Sequence, residues 1–413
     1  MKLVRTGVLK VQSQPAFSEI NAASASVWNE CLQLMEWYQW QRGYPHARAD
    51  FWIGPDCEGW MDKNLSKSQP LHSQSIQTIR KQYFKSWQSY WEIKRTNSIE
   101  SPKPPHKKKG HMTTRWLKSA IRFQDGTPFG KRVVLSMGKG RKALDIPLPD
   151  SFDMSKVDAI ATIDLCYNHG QYELHFTYNL EVEITQVGSN VMGVDIGEIH
   201  PIVCHDGLHT YILNGRYIRS LYRLRNKVIA GFQSKIDRCQ RGSKRWWHLV
   251  KRKWKRINRI DNQIKDALHK HTTTFVRLCQ SADVGTVAIG DLTGIRTDID
   301  YGKRANQKLH QWPFAKLTDM ITDKCKAVGI KVKQIGEEYT SQTCPSCGQR
   351  HKPSNRNYKC TCGFVYHRDG VGAINIRKKY QGHFGVPVEA AMAPPIGIRL
   401  EARCCSAGAE NVG

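Results

Sequence analysis

What is scarce in this chain already excludes several classes of protein. Nothing close to eighteen consecutive apolar residues occurs in its 413 positions, so no membrane-spanning helix and no membrane partner are expected. Acids are few: 36 Asp and Glu stand against 63 Lys and Arg, a formal charge of +27. Paired cysteines are missing outside one short region; Cys31, Cys57, Cys166, Cys204 and Cys239 are scattered, and no apolar signal segment follows Met1. That usage fits a reducing compartment, the cytoplasm and its nucleoid, rather than secretion. Hydrophobic residues still make up 40% of the chain, enough for two or three globular domains at about 150 residues each.

The positive charge is concentrated. From Arg216 to Lys270 there are eighteen basic residues and three acids, a local net of +15. Such a segment would repel itself in the compact state unless a polyanion neutralised it, and nucleic acid is the natural one. Lys251, Arg252, Lys253, Lys255 and Arg256 are its densest part and the candidate nucleic-acid contacts. Trp246, Trp247 and Trp254 lie among them; a buried stripe of a helical hairpin is the expectation, with stacking on exposed bases as the alternative. Lys107, Lys108, Lys109 and Arg115 form a second, looser set that could grip phosphate.

The hydrophobic period changes along the chain. Val4–Val11 alternates like a strand, whereas Glu19–Leu34 and Ser75–Arg95 carry helical stripes, the second ending before a proline-broken basic stretch at 101–109. From Ile121 the period returns to two, in segments at 121–124, 132–136, 160–166 and 172–178, which reads as a small β-barrel with a helical module inserted after its first strand. After 186–190 strands alternate with helices, as in an α/β domain. From Pro387 no periodicity remains, and 386–413 is expected to be a flexible tail.

Cys344-Pro-Ser-Cys347 and, after twelve intervening residues, Cys360-Thr-Cys362 have the spacing of a zinc ribbon: two tight turns, each presenting two sulfurs to one tetrahedral ion. The second pair is Cys-x-Cys, so His351 or His367 could replace one sulfur.

Acids stand at the ends of three apolar strands and one helix start: Asp195 after Val191–Val194, Asp291 after Gly285–Gly290, Glu337 and Glu338 after Ile330–Gly336, and Asp369 ahead of Val371–Arg377. Carboxylates gathered at neighbouring strand ends suit two magnesium ions around a scissile phosphate, hard oxygens for a hard ion.

Gly193-Val-Asp195-Ile-Gly197, Gly290-Asp-Leu-Thr-Gly294, Thr340-Ser-Gln-Thr-Cys-Pro-Ser-Cys-Gly348 and His367-Arg-Asp369-Gly-Val-Gly-Ala-Ile-Asn375, in that order, resemble the TnpB (OrfB) family of insertion-sequence proteins, RuvC-like nucleases related to type V CRISPR effectors. The resemblance covers the chain from about Met1 to Tyr380. It implies an α+β multidomain protein: a wedge-like β-barrel at 1–20 and 101–188, a helical recognition module at 21–100, a RuvC-like (RNase H-like) α/β domain at 189–340 and 364–385, and an inserted zinc ribbon at 341–363. It implies guide RNA and target double-stranded DNA as partners, a structural zinc, and two catalytic magnesium ions on Asp195, Glu337 and Asp369.

One position departs from the family. Its middle motif reads Glu-Asp-Leu, whereas this chain has Gly290 where that Glu would stand. Asp291 cannot substitute, because adjacent strand residues face opposite sides of the sheet. Some members resemble this chain in lacking that Glu and carry an acid just ahead of Tyr-Thr-Ser-Gln-Thr instead, which here is Glu337, with Glu338 as fallback. The alternative function is an RNA-guided DNA-binding protein without cleavage, a repressor or transposition accessory. A DNA-only transposase finds no support, since no catalytic Tyr stands in a His-x-His context.

Overall fold

The computed structural model describes residues 2–43, 55–65, 70–96, 99–125, 130–168, 170–181, 188–292, 302–353, 355–387 and 393–400. Thr293, Gly294, Cys404 and Cys405 of the motifs and tail above lie outside them. The chain forms two compact units, Met1–Val182 and Glu183–Gly413.

In the first unit β1 (Lys2–Val11) is followed by α1 (Pro15–Gln41), α2 (Pro55–Asn64) and α3 (Ser73–Thr96) before the chain returns to strands. Pro15 opens α1 a turn ahead of the expected Glu19, because its missing N–H is unneeded at the first helical position. The stripes of α1 and α3 bury Trp28 and Tyr83 edge to face, with ring centroids 5.3 Å apart. The returning strands are β2 (Thr114–Leu117), β3 (Ile121–Gln124), β4 (Arg132–Leu135), β5 (Leu144–Pro147), β6 (Ile160–Asn168) and β7 (Gln171–Glu181). Among the described residues they make two antiparallel ladders, β1-β7-β6-β2 and β3-β4-β5, rather than one continuous sheet. β1 pairs with β7 from Lys2↔Glu181 to Val11↔Tyr172, so the first and last strands of the unit are neighbours in space.

The second unit is built on one six-stranded sheet. Its chain order is β8 (Asn190–Asp195), β9 (Ile202–His205), β10 (Thr210–Leu213), α4 (Arg216–Ile236), α5 (Lys244–Ser281), β11 (Val284–Asp291), α6 (Lys303–Gln311), α7 (Phe314–Ala327), β12 (Lys331–Gly336), β13 (Asn357–Lys359), β14 (Val365–His367), α8 (Arg368–Tyr380) and β15 (Ile396–Ile398). The sheet runs β12-β11-β8-β9-β10-β15, with β12, β11 and β8 parallel. β8 and β11 are largely buried, which is why they read as apolar runs, whereas β12 at the sheet edge is exposed to half-buried and alternates Lys331-Val-Lys333. α8 lies directly on β8: a Cβ on Gly193 would collide with Ala373 O and come 2.7 Å from Arg377 Cβ, so only glycine admits the helix there.

β15 corrects one expectation. Ile396–Ile398, read from sequence as tail, pairs in parallel with Tyr211–Leu213 and closes the sheet edge. Three residues are too few for a period to register, and an edge strand needs only its neighbour's unpaired N–H and C=O groups to form.

Candidate active site

The parallel strands place their carboxyl ends together, the usual location of sites in such sheets. Asp195 ends β8, and β11 sets Gly290 opposite Ile335, with Glu337 one residue beyond β12. Position 290 is decisive. A Cβ on Gly290 would collide with Glu337 Oε1 and lie 2.6 Å from both Glu337 Cδ and Cγ. The carboxylate of Glu337 therefore fills the space that a side chain at 290 would occupy. Glu337 Oε1 is buried and has no hydrogen-bond partner among the described residues.

Asp369 arrives from the other side, in the first turn of α8. A Cβ on Gly372, one turn later, would sit 2.8 Å from Asp195 Oδ2, so this end of the helix lies against the first acid. Asp195 senses both other acids. Burial, and then the charges of Glu337 and Asp369, push Asp195 well above the ordinary carboxyl range. Burial, then Asp291 and Glu338, lift Glu337 to about 7. Burial also raises Asp369, but the hydrogen bond from His200 and the charge of Arg356 outweigh it, leaving Asp369 below its usual value. A carboxyl raised by two neighbouring acids, and another with an orphaned oxygen, are the oxygen chemistry that a hard divalent cation would take. Glu338, the fallback, points away: its side chain is 70% exposed and accepts a hydrogen bond from Lys379 Nζ at 2.8 Å.

Several residues of this centre escape sequence reasoning. His200 Nδ1 lies 2.8 Å from Asp369 Oδ2, and Arg356 Nη1 donates to the same oxygen at 2.7 Å. Arg368 Nε stands 3.6 Å from Asp369 Oδ1. Ligand atoms of His200, His367 and Asp369 fall within 4.8 Å of one another, yet the guanidinium on the shared carboxylate makes this group a frame for Asp369 rather than a second cation site. A single His after a Gly turn and a single Arg in a ribbon loop carry no spacing signal, so nothing in the sequence singles them out.

The ribbon closes as expected from its four cysteines. Cys344 Sγ is 3.7 Å from Cys362 Sγ, Cys347 Sγ is 3.5 Å from Cys360 Sγ, and all four lie within 4.8 Å of one another. Zinc–sulfur bonds of about 2.3 Å place sulfurs about 3.8 Å apart in a tetrahedron, close to these spacings, so the four sulfurs suit zinc. His351 does not replace a sulfur; its Nδ1 faces Tyr358 Oη at 3.2 Å. α8 grips the ribbon: Asn375 Nδ2 donates to Thr340 O and Thr343 O at 2.7 Å each, and Lys378 Nζ donates to Pro345 O at 2.8 Å.

The basic segment is the hairpin of α4 and α5, tied by Arg225 Nε to Asp261 Oδ1 at 2.6 Å. Lys251, Arg252, Lys255 and Arg256 are exposed, while Lys253 is half-buried and donates to Gln233 Oε1 at 2.9 Å. The expectation of buried tryptophans is overturned. The buried stripe of α5 runs Ile257, Ile260, Ile264, Leu268, His271 and Phe275. At about 100° per residue Trp246 falls on its extension, but Trp247 and Trp254 fall roughly 90° to one side. They are 53% and 39% exposed and share that flank with Lys251. Two other candidates are otherwise engaged: Arg115 pairs through both nitrogens with Asp164 at 2.7 Å, and Lys109 Nζ sits 3.4 Å over the Trp28 ring. Gln311 exchanges amide hydrogen bonds with Asn226 at 2.9 and 3.1 Å, joining α6 to α4.

Two family models match the chain. OrfB/IS605, a probable transposase, matches residues 175–296, and the Cas12f1-like TNB domain matches 314–376. The putative transposase MJ0856.1 of Methanocaldococcus jannaschii is 32% identical over 85 residues, 18% of this chain and 78% of that protein. The CRISPR-associated endodeoxyribonuclease Cas12f2 of Micrarchaeota archaeon is 27% identical over 235 residues, 51% of this chain. The chain spans 40% to 58% of the length of the curated Cas12f relatives it matches. A cryo-EM structure of a Cas12f1-sgRNA-target DNA complex superposes with a TM-score of 0.61 at 14% identity, covering 88% of this chain and 82% of that one. That likeness is one of fold, an α+β multidomain architecture.

Proposed function

The chain belongs to the TnpB (OrfB) family of insertion-sequence proteins, and from that premise we propose that it is an RNA-guided DNA endonuclease of the transposon-associated type. The observation that carries this reading is the exchange at Gly290: Glu337 fills the space of the absent side chain. An acid lost from one strand is thereby replaced from its neighbour, and a decayed site would have no reason to keep a buried, unpartnered carboxylate oxygen in that place. Asp195, Glu337 and Asp369 would hold two magnesium ions. Magnesium, when bound, would supply Lewis acidity and activation of water for phosphodiester hydrolysis.

The protein's own groups divide the remaining work. His200 fixes the orientation of Asp369 and, with Arg356, keeps it ionised and ready to ligate. Arg356 and Arg368 bring positive charge beside that acid, where a phosphodiester in the site would need its charge offset. Lys379 holds Glu338 outside the centre. The exposed cations and tryptophans of α5 suit guide RNA, with sequence choice delegated to pairing between guide and target. The first unit would then serve as wedge (1–20 and 101–188) and helical recognition module (21–100), and the second as RuvC-like nuclease (189–340 and 364–385) with its ribbon (341–363).

The test is cleavage by the guide-loaded chain in magnesium on a matching target. The native chain should cut, and Asp195→Ala, Glu337→Ala and Asp369→Ala should bind the target without cutting. A native chain that binds its target and never cuts would instead establish the non-cleaving reading.

A further inference from the structure

Tyr339 has a backbone that its residue type resists. Among described non-glycine residues only Asp283 and Tyr339 have left-handed φ, at +50° and +63°. A short aspartate tolerates that region; a bulky aromatic does so rarely. The turn explains the φ but not the side chain. Tyr339 O accepts from Gln342 N, Thr343 N and Thr343 Oγ1, each at 3.0 Å, and a glycine or asparagine would make that turn with less strain.

Core packing does not explain the ring either. It is 48% exposed, and the guanidinium of Arg350, itself exposed, lies 3.6 Å over its centroid. Arg350 is held there by the Thr343↔Arg350 bridge, beside the first zinc-ligand turn. A strained residue kept where the fold does not ask for it marks a functional constraint. Its position indicates which one: Tyr339 is two residues after Glu337, so their Cα atoms are at most about 7.6 Å apart.

Resting on the nuclease reading, we propose that Tyr339 and Arg350 form a stacking platform for one base of the substrate single strand next to the scissile phosphate. The ring offers a π-face to any base, and the guanidinium offers its charge to the adjoining phosphate. Such a platform grips without reading sequence, as a nuclease guided by base pairing requires.

The probe is fluorescein-labelled dT12 carrying one 5-iododeoxyuridine, bound to the guide-loaded full chain in calcium so that no cutting intervenes. Irradiation should crosslink the oligonucleotide to Tyr339. Tyr339→Phe should bind within about twofold of the native chain, and Tyr339→Asn should bind roughly tenfold more weakly while melting no lower. A crosslink that maps elsewhere, or unchanged affinity in Tyr339→Asn, overturns the proposal. If Tyr339→Asn does not fold, Arg350→Gln takes its place: weaker binding there together with the native crosslink supports the platform, and unchanged affinity overturns it. The readouts are independent of cleavage. Failure here leaves the nuclease reading standing, and a chain that crosslinks at Tyr339 yet never cuts in magnesium sinks that reading alone.

Discussion

Gly290 and Glu337 show how little a single residue type says without its neighbour. In sequence Gly290 stands where the family carries an acid, while in space it leaves the room that the Glu337 carboxylate, proposed to ligate in its place, occupies. The pair therefore makes a reciprocal prediction. Gly290→Glu alone should abolish cutting and destabilise the second unit by about 1–3 kcal/mol, because two side chains would compete for one volume. Gly290→Glu with Glu337→Ala should recover a measurable part of the cleavage rate by returning the acid to the other strand. If the double variant is as dead as Glu337→Ala, the two positions are not interchangeable. His205 makes a second residue-scale prediction. It is 4% exposed, its Nδ1 is 3.0 Å from Thr210 Oγ1, and burial lowers its pKa to about 4. Because its unfolded value is about 6.5, the unfolded chain takes up the proton first as pH falls, so stability is lost between about pH 6.5 and 4 and not above. The melting-temperature advantage of the native chain over His205→Asn should shrink across that window; an advantage constant from pH 7 to 4 would refute the assignment.

At the scale of elements, the RNA surface proposed for α5 has two separable kinds of contact. Its cations act by releasing counterions, so Lys251→Ala, Arg252→Ala, Lys255→Ala and Arg256→Ala combined should flatten the dependence of RNA affinity on salt by about three to four units of slope. Trp247 and Trp254 would act by stacking, so Trp247→Ala with Trp254→Ala should weaken binding by roughly tenfold at every salt concentration and leave the slope alone. Filter binding across a salt series separates the two, and equal slopes in all three proteins would remove α5 as the main surface. The ribbon is an element of another kind, held by the two side chains that α8 sends into it, Asn375 and Lys378, and proposed to be ordered by zinc. About one zinc per chain is expected. Chelation or Cys347→Ser should raise amide exchange across residues 341–367, with Met1–Val182 unchanged, since so short a ribbon has too little apolar material to hold itself. Protected ribbon amides in a metal-free chain would contradict this.

For the whole molecule, the described end of the chain matters more than its composition suggests. β15 pairs with β10, Asn214 N donates to Ile398 O at 2.9 Å, and Tyr366 Oη donates to Ala393 O at 2.8 Å. A chain ended after Pro394 should lose the sheet edge and melt about 3 °C lower in its second unit, the first being unaffected. No change in either transition would mean that the strand adds nothing to stability. No described helix is long and apolar enough to cross a membrane.

Much of this protein is local and therefore legible before folding. The period of β1, α1 and α3, the buried strands β8 and β11, the basic hairpin and the clustering of the four cysteines all follow from spacing along the chain, because periodicity and the grouping of near neighbours are properties of short segments. The acid positions were legible too, as strand ends. What folding adds is which distant groups share a volume. It sets Glu337 in the space beside Gly290, brings His200 and the ribbon's Arg356 onto Asp369, turns Trp247 and Trp254 off the buried stripe, and recruits Ile396–Ile398 into the sheet. Those outcomes depend on strand order, helix rotation and the close approach of α8 over Gly193, quantities that no interval of sequence encodes alone.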